Sequence, residues 1–176
     1  GLDAQLLIPK PDDADVAQEI VEQFAADEAK ANGPDPKVVQ QLRESGVAYL
    51  KQTQAADGTW TNPAVPGITG LCVTALLHSD VPASDATVAK SLKFLEGLIR
   101  EDGGIYTPQS LHKNYETSIS IMAFAAANKD GRYTATIKKA DAFLRGLQWD
   151  ESEDLKPEDA AYGGAGYGKS QRPDLS

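Results

Sequence analysis

The sequence predicts an all-α fold built from repeated helical hairpins, each pairing an amphipathic outer helix with a buried inner helix. In three segments, apolar residues recur at helical spacing among polar residues, which is typical of a helix with one apolar face. Two other segments, residues 68–78 and 115–128, are apolar on nearly every side, which is typical of helices enclosed by other helices. Glycine-containing turns separate these segments, so we expect two concentric layers of helices.

The outer helices are placed by their capping residues. The first is predicted to begin at Asp35, a favourable N-cap residue, with Pro36 at its first helical position. The second is predicted to follow the N-cap Ser84, and the third is predicted to begin near Tyr133. The three apolar stripes comprise Val39, Leu42, Gly46, Tyr49 and Leu50, then Val88, Leu92, Leu95 and Ile99, then Ile137, Ala140, Leu144 and Leu147.

These elements divide the chain into an N-terminal part, residues 1–34, and a series of hairpin repeats, residues 35–176. The N-terminal part is predicted to hold an extended arm and then an amphipathic helix over about 13–30. The repeats span about 35–82, 83–131 and 132–176. No inner helix follows the third outer helix, so we expect either self-association or continuation in a longer chain.

Composition and charge limit the classes of partner. The 176 residues carry a formal net charge of -9, which disfavours nucleic acid because that affinity depends on Lys and Arg neutralising phosphates. No apolar run approaches the roughly 20 residues that cross a bilayer, so no transmembrane segment is predicted. Cys72 is the single cysteine, which excludes an internal disulfide, and no cofactor is predicted. The sequence does not determine the cellular compartment. It is also compatible with a signal peptide that was removed earlier.

One motif carries a specific resemblance. Tyr49 and Leu50, followed by Gln54, Gly58 and Trp60, are similar to the QW repeat of squalene and oxidosqualene cyclases. The resemblance implies a partial α/α-toroid of the kind found in squalene-hopene cyclases and protein prenyltransferases. The later repeats keep the motif in part, through Phe94, Leu95 and Gly103 in the second and Phe143, Leu144 and Gln148 in the third.

The motif also has a physical interpretation that is independent of the family. A glutamine at the end of an outer helix can bond the turn and a neighbouring repeat, while a tryptophan shields those bonds from water. We therefore interpret Gln54, Gly58 and Trp60 as a structural fastener between repeats.

The chemistry of the resembling enzymes lacks its key residues in this chain. Squalene-hopene cyclases protonate their substrate with a D-x-D-D acid motif, which is absent, so no catalytic residue is assigned. Protein prenyltransferases hold zinc with Asp, Cys and His. Apart from its acidic residues, this chain offers only Cys72, His78 and His112 as ligands of these types. No metal site is predicted. The acidic insertion over 150–159 is interpreted as a solvated loop.

Four residues are candidates for lining a cavity or binding a ligand. Tyr115 and Glu116 open the second inner helix, although Glu116 also suits a first-turn acid that interacts with the helix dipole. Tyr162 and Tyr167 belong to a glycine-rich loop, which suits either close approach of a ligand or a tight turn between repeats.

Three functions fit the sequence. The resemblance implies a terpene-cyclase-like or prenyltransferase-like domain whose apolar interior binds an isoprenoid or a similar small molecule. The alternatives are a non-catalytic scaffold for protein interaction, or a carbohydrate-active α/α-barrel. The last is weakened because no pair of catalytic carboxylates stands at the inner-helix starts.

Overall fold

The computed structural model of the chain describes residues 22–23 and 33–167. The predicted arm and most of the helix predicted over 13–30 lie outside the described residues, as do residues 168–176. Within the described ranges the chain forms α-helices and no strand, which confirms the all-α class. The helices are α1 (Pro36–Thr53), α2 (Pro66–His78), α3 (Ala86–Glu96), α4 (Lys113–Ala127) and α5 (Thr134–Arg145), and a 3-10 turn follows over Glu151–Glu153.

The chain divides into two compact units, Gly1–Arg43 and Glu44–Ser176. The boundary falls within α1, so the first unit contributes the start of that helix and the second unit contributes its end. None of the five helices combines the length and the apolar character that a membrane crossing would require, as far as the described residues go.

At the starts of α1 and α3, a carboxylate accepts from one of the first backbone N–H groups of the helix. Asp35 accepts a bond from the Lys37 N–H at 2.9 Å, and Pro36 opens α1. The prediction of Ser84 as the cap of α3 was wrong by one residue. Asp85 is the N-cap, because its carboxylate accepts from the Thr87 N–H at 3.0 Å. The same carboxylate also pairs with the Lys51 ammonium at 2.7 Å.

The core of the second unit lies between α2, α3, α4 and α5. Its fully buried apolar side chains include Val73, Leu76, Val88, Leu95, Phe124 and Ala140. Two glycines allow α2 and α4 to approach closely: a Cβ at Gly67 would lie 2.9 Å from the Tyr115 ring, and one at Gly70 would lie 2.7 Å from Ile119. Since the later glycine meets the later residue, α2 and α4 run in the same direction.

Three turns close with the same pattern of a backbone hydrogen bond and a glycine, although the third also encloses the acidic insertion. In each, a residue just beyond an outer helix donates its N–H at 2.8 Å to a carbonyl of the turn; the pairs are Ala55 with Thr59, Arg100 with Gly104, and Trp149 with Gly164. Each turn also contains a glycine with positive φ, 91° at Gly58, 89° at Gly103 and 74° at Gly163. Glycine suits these positions because it alone adopts positive φ without steric cost.

The prediction that the inner helices are buried on all sides was wrong. One side of α2 and one side of α4 remain exposed, with Ile68 and Leu71 on the first helix and Tyr115 and Met122 on the second. The opposite side of each helix meets the other helices and is buried. The two helices that are apolar on all sides in sequence, α2 and α4, therefore each keep one face that no other described residue covers.

Two buried tyrosines make stability depend on alkaline pH. Burial, assisted by hydrogen bonds to Asp102 and Glu96, raises the pKa values of Tyr106 and Tyr133 from 10.0 to about 12. Between these values the unfolded chain releases protons that the native chain keeps, so the free energy of unfolding falls as pH rises, by up to about 1.4 kcal/mol per pH unit for each tyrosine. The free energy of unfolding, measured with urea at several pH values between 10 and 12, should fall less steeply with pH in Tyr133→Phe than in the wild type. Equal slopes in the two proteins would contradict the assignment.

Candidate ligand-binding face

The exposed sides of α2 and α4 carry four large apolar side chains. Ile68, Leu71, Tyr115 and Met122 expose 37%, 42%, 48% and 51% of their surface. We call these four residues the inner face. Ala75 on α2 and Ala125 on α4 are also exposed on these sides and extend the apolar surface.

The spacing of the residues explains why they share a side. Ile68, Leu71 and Ala75 are separated by three and then four positions, which places them along one side of a helix. Tyr115, Met122 and Ala125 fall on one side of α4 by the same rule. Because Gly67 lies directly under the Tyr115 ring, no gap separates the two helices at this end of the inner face.

A cavity of about 470 Å³ opens at the N-terminal ends of the same two helices. The loop before α2 forms one wall with Pro63 and Ala64, and the loop before α4 forms the other. The remaining lining residues are Thr107, Pro108, Gln109, Ser110, Leu111, His112 and Glu116. The cavity lies within one turn of Tyr115, so it adjoins one end of the inner face.

Glu116 holds the wall of this cavity in place. Its buried carboxylate accepts from the Thr107 N–H at 2.9 Å through one oxygen and from the Ser110 hydroxyl at 2.6 Å through the other. Glu116 also lies in the first turn of α4, where a negative charge interacts favourably with the helix dipole. Since both oxygens are engaged by the loop, we assign Glu116 a structural role.

The two candidate tyrosines of the glycine-rich loop lie in different places. Tyr167 is near the start of α4, where its carbonyl accepts from the Asn114 N–H at 3.1 Å and its ring meets His112 edge to face, with centroids 5.0 Å apart. Tyr162 instead donates from its hydroxyl to Glu151 at 2.9 Å, within the acidic insertion. The structure therefore brings Tyr115, Glu116 and Tyr167 to one end of α4, and Tyr162 is not among them.

The residues of the QW-like motif join the first hairpin to the second. The Gln54 amide donates at 2.8 Å both to the Thr87 carbonyl and to the Ser91 hydroxyl of α3, and at 3.3 Å to the carbonyl of Gly58. The Trp60 indole N–H donates to the Leu50 carbonyl at 2.8 Å. These contacts engage the amide nitrogen of Gln54 and the indole N–H of Trp60.

The other motif residues differ in burial. Leu50 is half-buried against the core, whereas Tyr49 exposes 65% of its surface. The tyrosine of the motif therefore takes no part in the fastener, and its ring faces away from the core of the second unit.

Sequence reasoning missed Ile68, Leu71 and Met122 as candidate site residues. The sequence did contain a signal for these residues. The inner helices carry more large apolar residues than are required to pack one side of each helix against the core. Cys72 lies beside Leu71 and is half-buried, and this burial raises the pKa of its thiol. Over residues 22–23 and 33–167, no three Asp, Glu, His or Cys side chains converge in a way that could hold a metal ion.

Comparison of the chain with protein-family models, with curated proteins and with solved structures found no match. Its function is therefore inferred from its own contacts.

Proposed function

We propose that this protein binds an apolar, isoprenoid-like small molecule along the inner face. The observation that carries the proposal is the exposure of four large apolar side chains on two adjacent parallel helices. Exposed apolar surface on neighbouring elements marks a binding site more often than isolated exposed residues do. An elongated hydrocarbon would cover the four side chains without needing a polar partner.

The alternation of outer and inner helices is consistent with the proposed binding of an apolar ligand. Alternating outer and inner helices, with turns that close in one pattern, are what a partial α/α-toroid requires, and in such a ring the inner face would line the interior. The resemblance of the Gln54, Gly58 and Trp60 motif to squalene cyclases supports the same arrangement. Catalysis is not part of the proposal, because the chain lacks the D-x-D-D acid motif and Glu116 is engaged by its loop.

Polar substitution on the inner face tests the proposal. Leu71→Gln and Met122→Gln should each weaken the binding of geranylgeraniol about tenfold, because covering one large apolar side chain contributes about 1.5 kcal/mol. Both side chains are exposed, so the free energy of unfolding should change by less than about 0.5 kcal/mol. Isothermal titration calorimetry measures the binding of geranylgeraniol, which is kept below its solubility limit and free of detergent. Urea unfolding measures the stability of each variant.

Leu42→Gln is the matched control, since Leu42 lies on α1 and exposes 67% of its surface. This variant should bind geranylgeraniol as the wild type does. If the wild type shows no saturable binding, or if Leu42→Gln weakens binding as much as Leu71→Gln, the proposal is wrong. In that case an amphipathic helix of another protein becomes the preferred occupant of the inner face.

A further inference from the structure

The contact between successive hairpins occurs twice within the second unit in the same form. In each case the positive-φ glycine of a turn lies against the backbone of the next outer helix. A Cβ at Gly58 would lie 2.8 Å from the Lys90 carbonyl oxygen of α3, and one at Gly103 would lie 2.7 Å from the Lys139 carbonyl oxygen of α5. A turn and the following outer helix therefore meet in one recurring geometry.

The third turn ends in the same glycine geometry, but its glycine has no neighbour of this kind in the described part of the chain. No heavy atom of the described residues is within 4 Å of a Cβ placed at Gly163. The Gln148 amide bonds the Gly163 carbonyl at 3.2 Å, just as Gln54 bonds the Gly58 carbonyl, but Gln148 is exposed. Across residues 33–167 it makes no bond like those of Gln54 to a following helix. We call Gln148 and Gly163 the turn edge.

The first outer helix offers the complementary surface. Gly46 of α1 corresponds to Ser91 in α3 and Ala140 in α5, which are small residues at the level where a preceding turn docks. Ser91 shows this directly, since its hydroxyl donates to the Gly58 carbonyl at 2.7 Å. Around Gly46, by contrast, nothing in the described part of the chain lies within 4 Å of a Cβ.

Aromatic residues one turn further along the outer helices show the same difference. Phe143 of α5 stacks on Tyr106 of the preceding hairpin, with ring centroids 5.6 Å apart. The corresponding residue of α1 is Tyr49, which is largely exposed. We call Gly46 and Tyr49 the helix edge.

We propose that the turn edge of one copy of this protein receives the helix edge of a second copy. The occupant follows from continuity, because the two open edges are the two halves of an interface that the chain already forms twice internally. Both edges belong to the same unit, so a single folded copy presents both. Since the edges differ, the contact is head-to-tail, and repeated contacts either close a ring or extend an array. The inference does not depend on ligand binding.

Sedimentation velocity of the full chain over a range of concentrations tests the proposal. The wild type should form larger species as its concentration rises. Gly46→Leu fills the helix edge and Gln148→Trp fills the turn edge, so each variant alone should remain monomeric. An equimolar mixture should form a 1:1 dimer, because each variant keeps one intact edge.

Folding controls separate a blocked edge from a damaged fold. At a dilution where the wild type is monomeric, Gly46→Leu should have the higher Tm, since leucine favours a helix more than glycine does. Gly46→Lys blocks the same edge with a charge and serves as a second variant. A wild type that stays monomeric at every concentration overturns the proposal, and the turn edge would then belong to another occupant, such as a hairpin of a different chain. Association that persists in both Gly46 variants, or a mixture that stays monomeric, also overturns it.

Discussion

Replacing Gly58 by alanine should destabilise the protein by about 3 kcal/mol. Positive φ costs an alanine about 1–2 kcal/mol, and overlap of its Cβ with a packed neighbour adds a comparable amount. At Gly58, φ is 91° and the neighbour is the Lys90 carbonyl oxygen, which belongs to the backbone of α3 and cannot rotate away. Equilibrium unfolding in urea measures the loss.

Gly163→Ala is the matched control for this substitution. Its φ is 74°, in the same left-handed region, but no described atom lies within 4 Å of the new Cβ. In dilute, monomeric protein the control should therefore lose only the backbone term, about 1 kcal/mol. Equal losses for Gly58→Ala and Gly163→Ala would show that close packing of the turn on α3 contributes nothing.

Gln54→Ala should destabilise the protein by about 2 kcal/mol, because a partly buried amide that ties two hairpins loses its bonds to α3 and to its own turn. Two of these bonds, to the Thr87 carbonyl and the Ser91 hydroxyl, are 2.8 Å long. Alanine removes the amide and leaves the Ser91 hydroxyl with one partner fewer. Thermal and urea unfolding should report the same order of stability.

The equivalent substitution Gln148→Ala isolates the effect of the neighbouring hairpin. The Gln148 side chain is exposed and bonds only the Gly163 carbonyl within the described residues, so its loss should cost about 0.5 kcal/mol or less. Dilute protein is needed for this comparison, because association through the turn edge would add to the apparent stability. A cost for Gln148→Ala that matches that of Gln54→Ala would contradict the role assigned to the fastener.

The fold class could be predicted because helical periodicity and turn glycines are local signals. Pro36 and the Asp-Gly turn at Gly58 mark element ends by backbone constraints that depend on few neighbours. The contact of Gln54 with α3 followed from its place at the end of an outer helix. Serine and aspartate both cap helices, so local sequence does not separate Ser84 from Asp85. In the folded chain, Asp85 accepts from the Thr87 N–H and also contacts Lys51.

The candidate site could not be predicted in the same way, because it depends on which face of a helix lacks a neighbour. Leu71 and Val73 are equally apolar in sequence, yet Val73 is fully buried and Leu71 is exposed. The position of Glu116 was ambiguous in sequence, because an acid that interacts with the helix dipole and an acid that binds a ligand can both lie in the first turn of a helix. Its bonds to Thr107 and Ser110 depend on how the preceding loop folds back.

The most direct measurement of ligand binding uses Met122, the single methionine of the chain. With a ¹³C-labelled methionine methyl group, the protein gives one methyl resonance, and that group lies on the inner face. Titration with geranylgeraniol should shift this resonance saturably in the wild type and in Leu42→Gln, and much less in Leu71→Gln at the same concentrations. A methyl resonance that does not move in the wild type would contradict binding at the inner face.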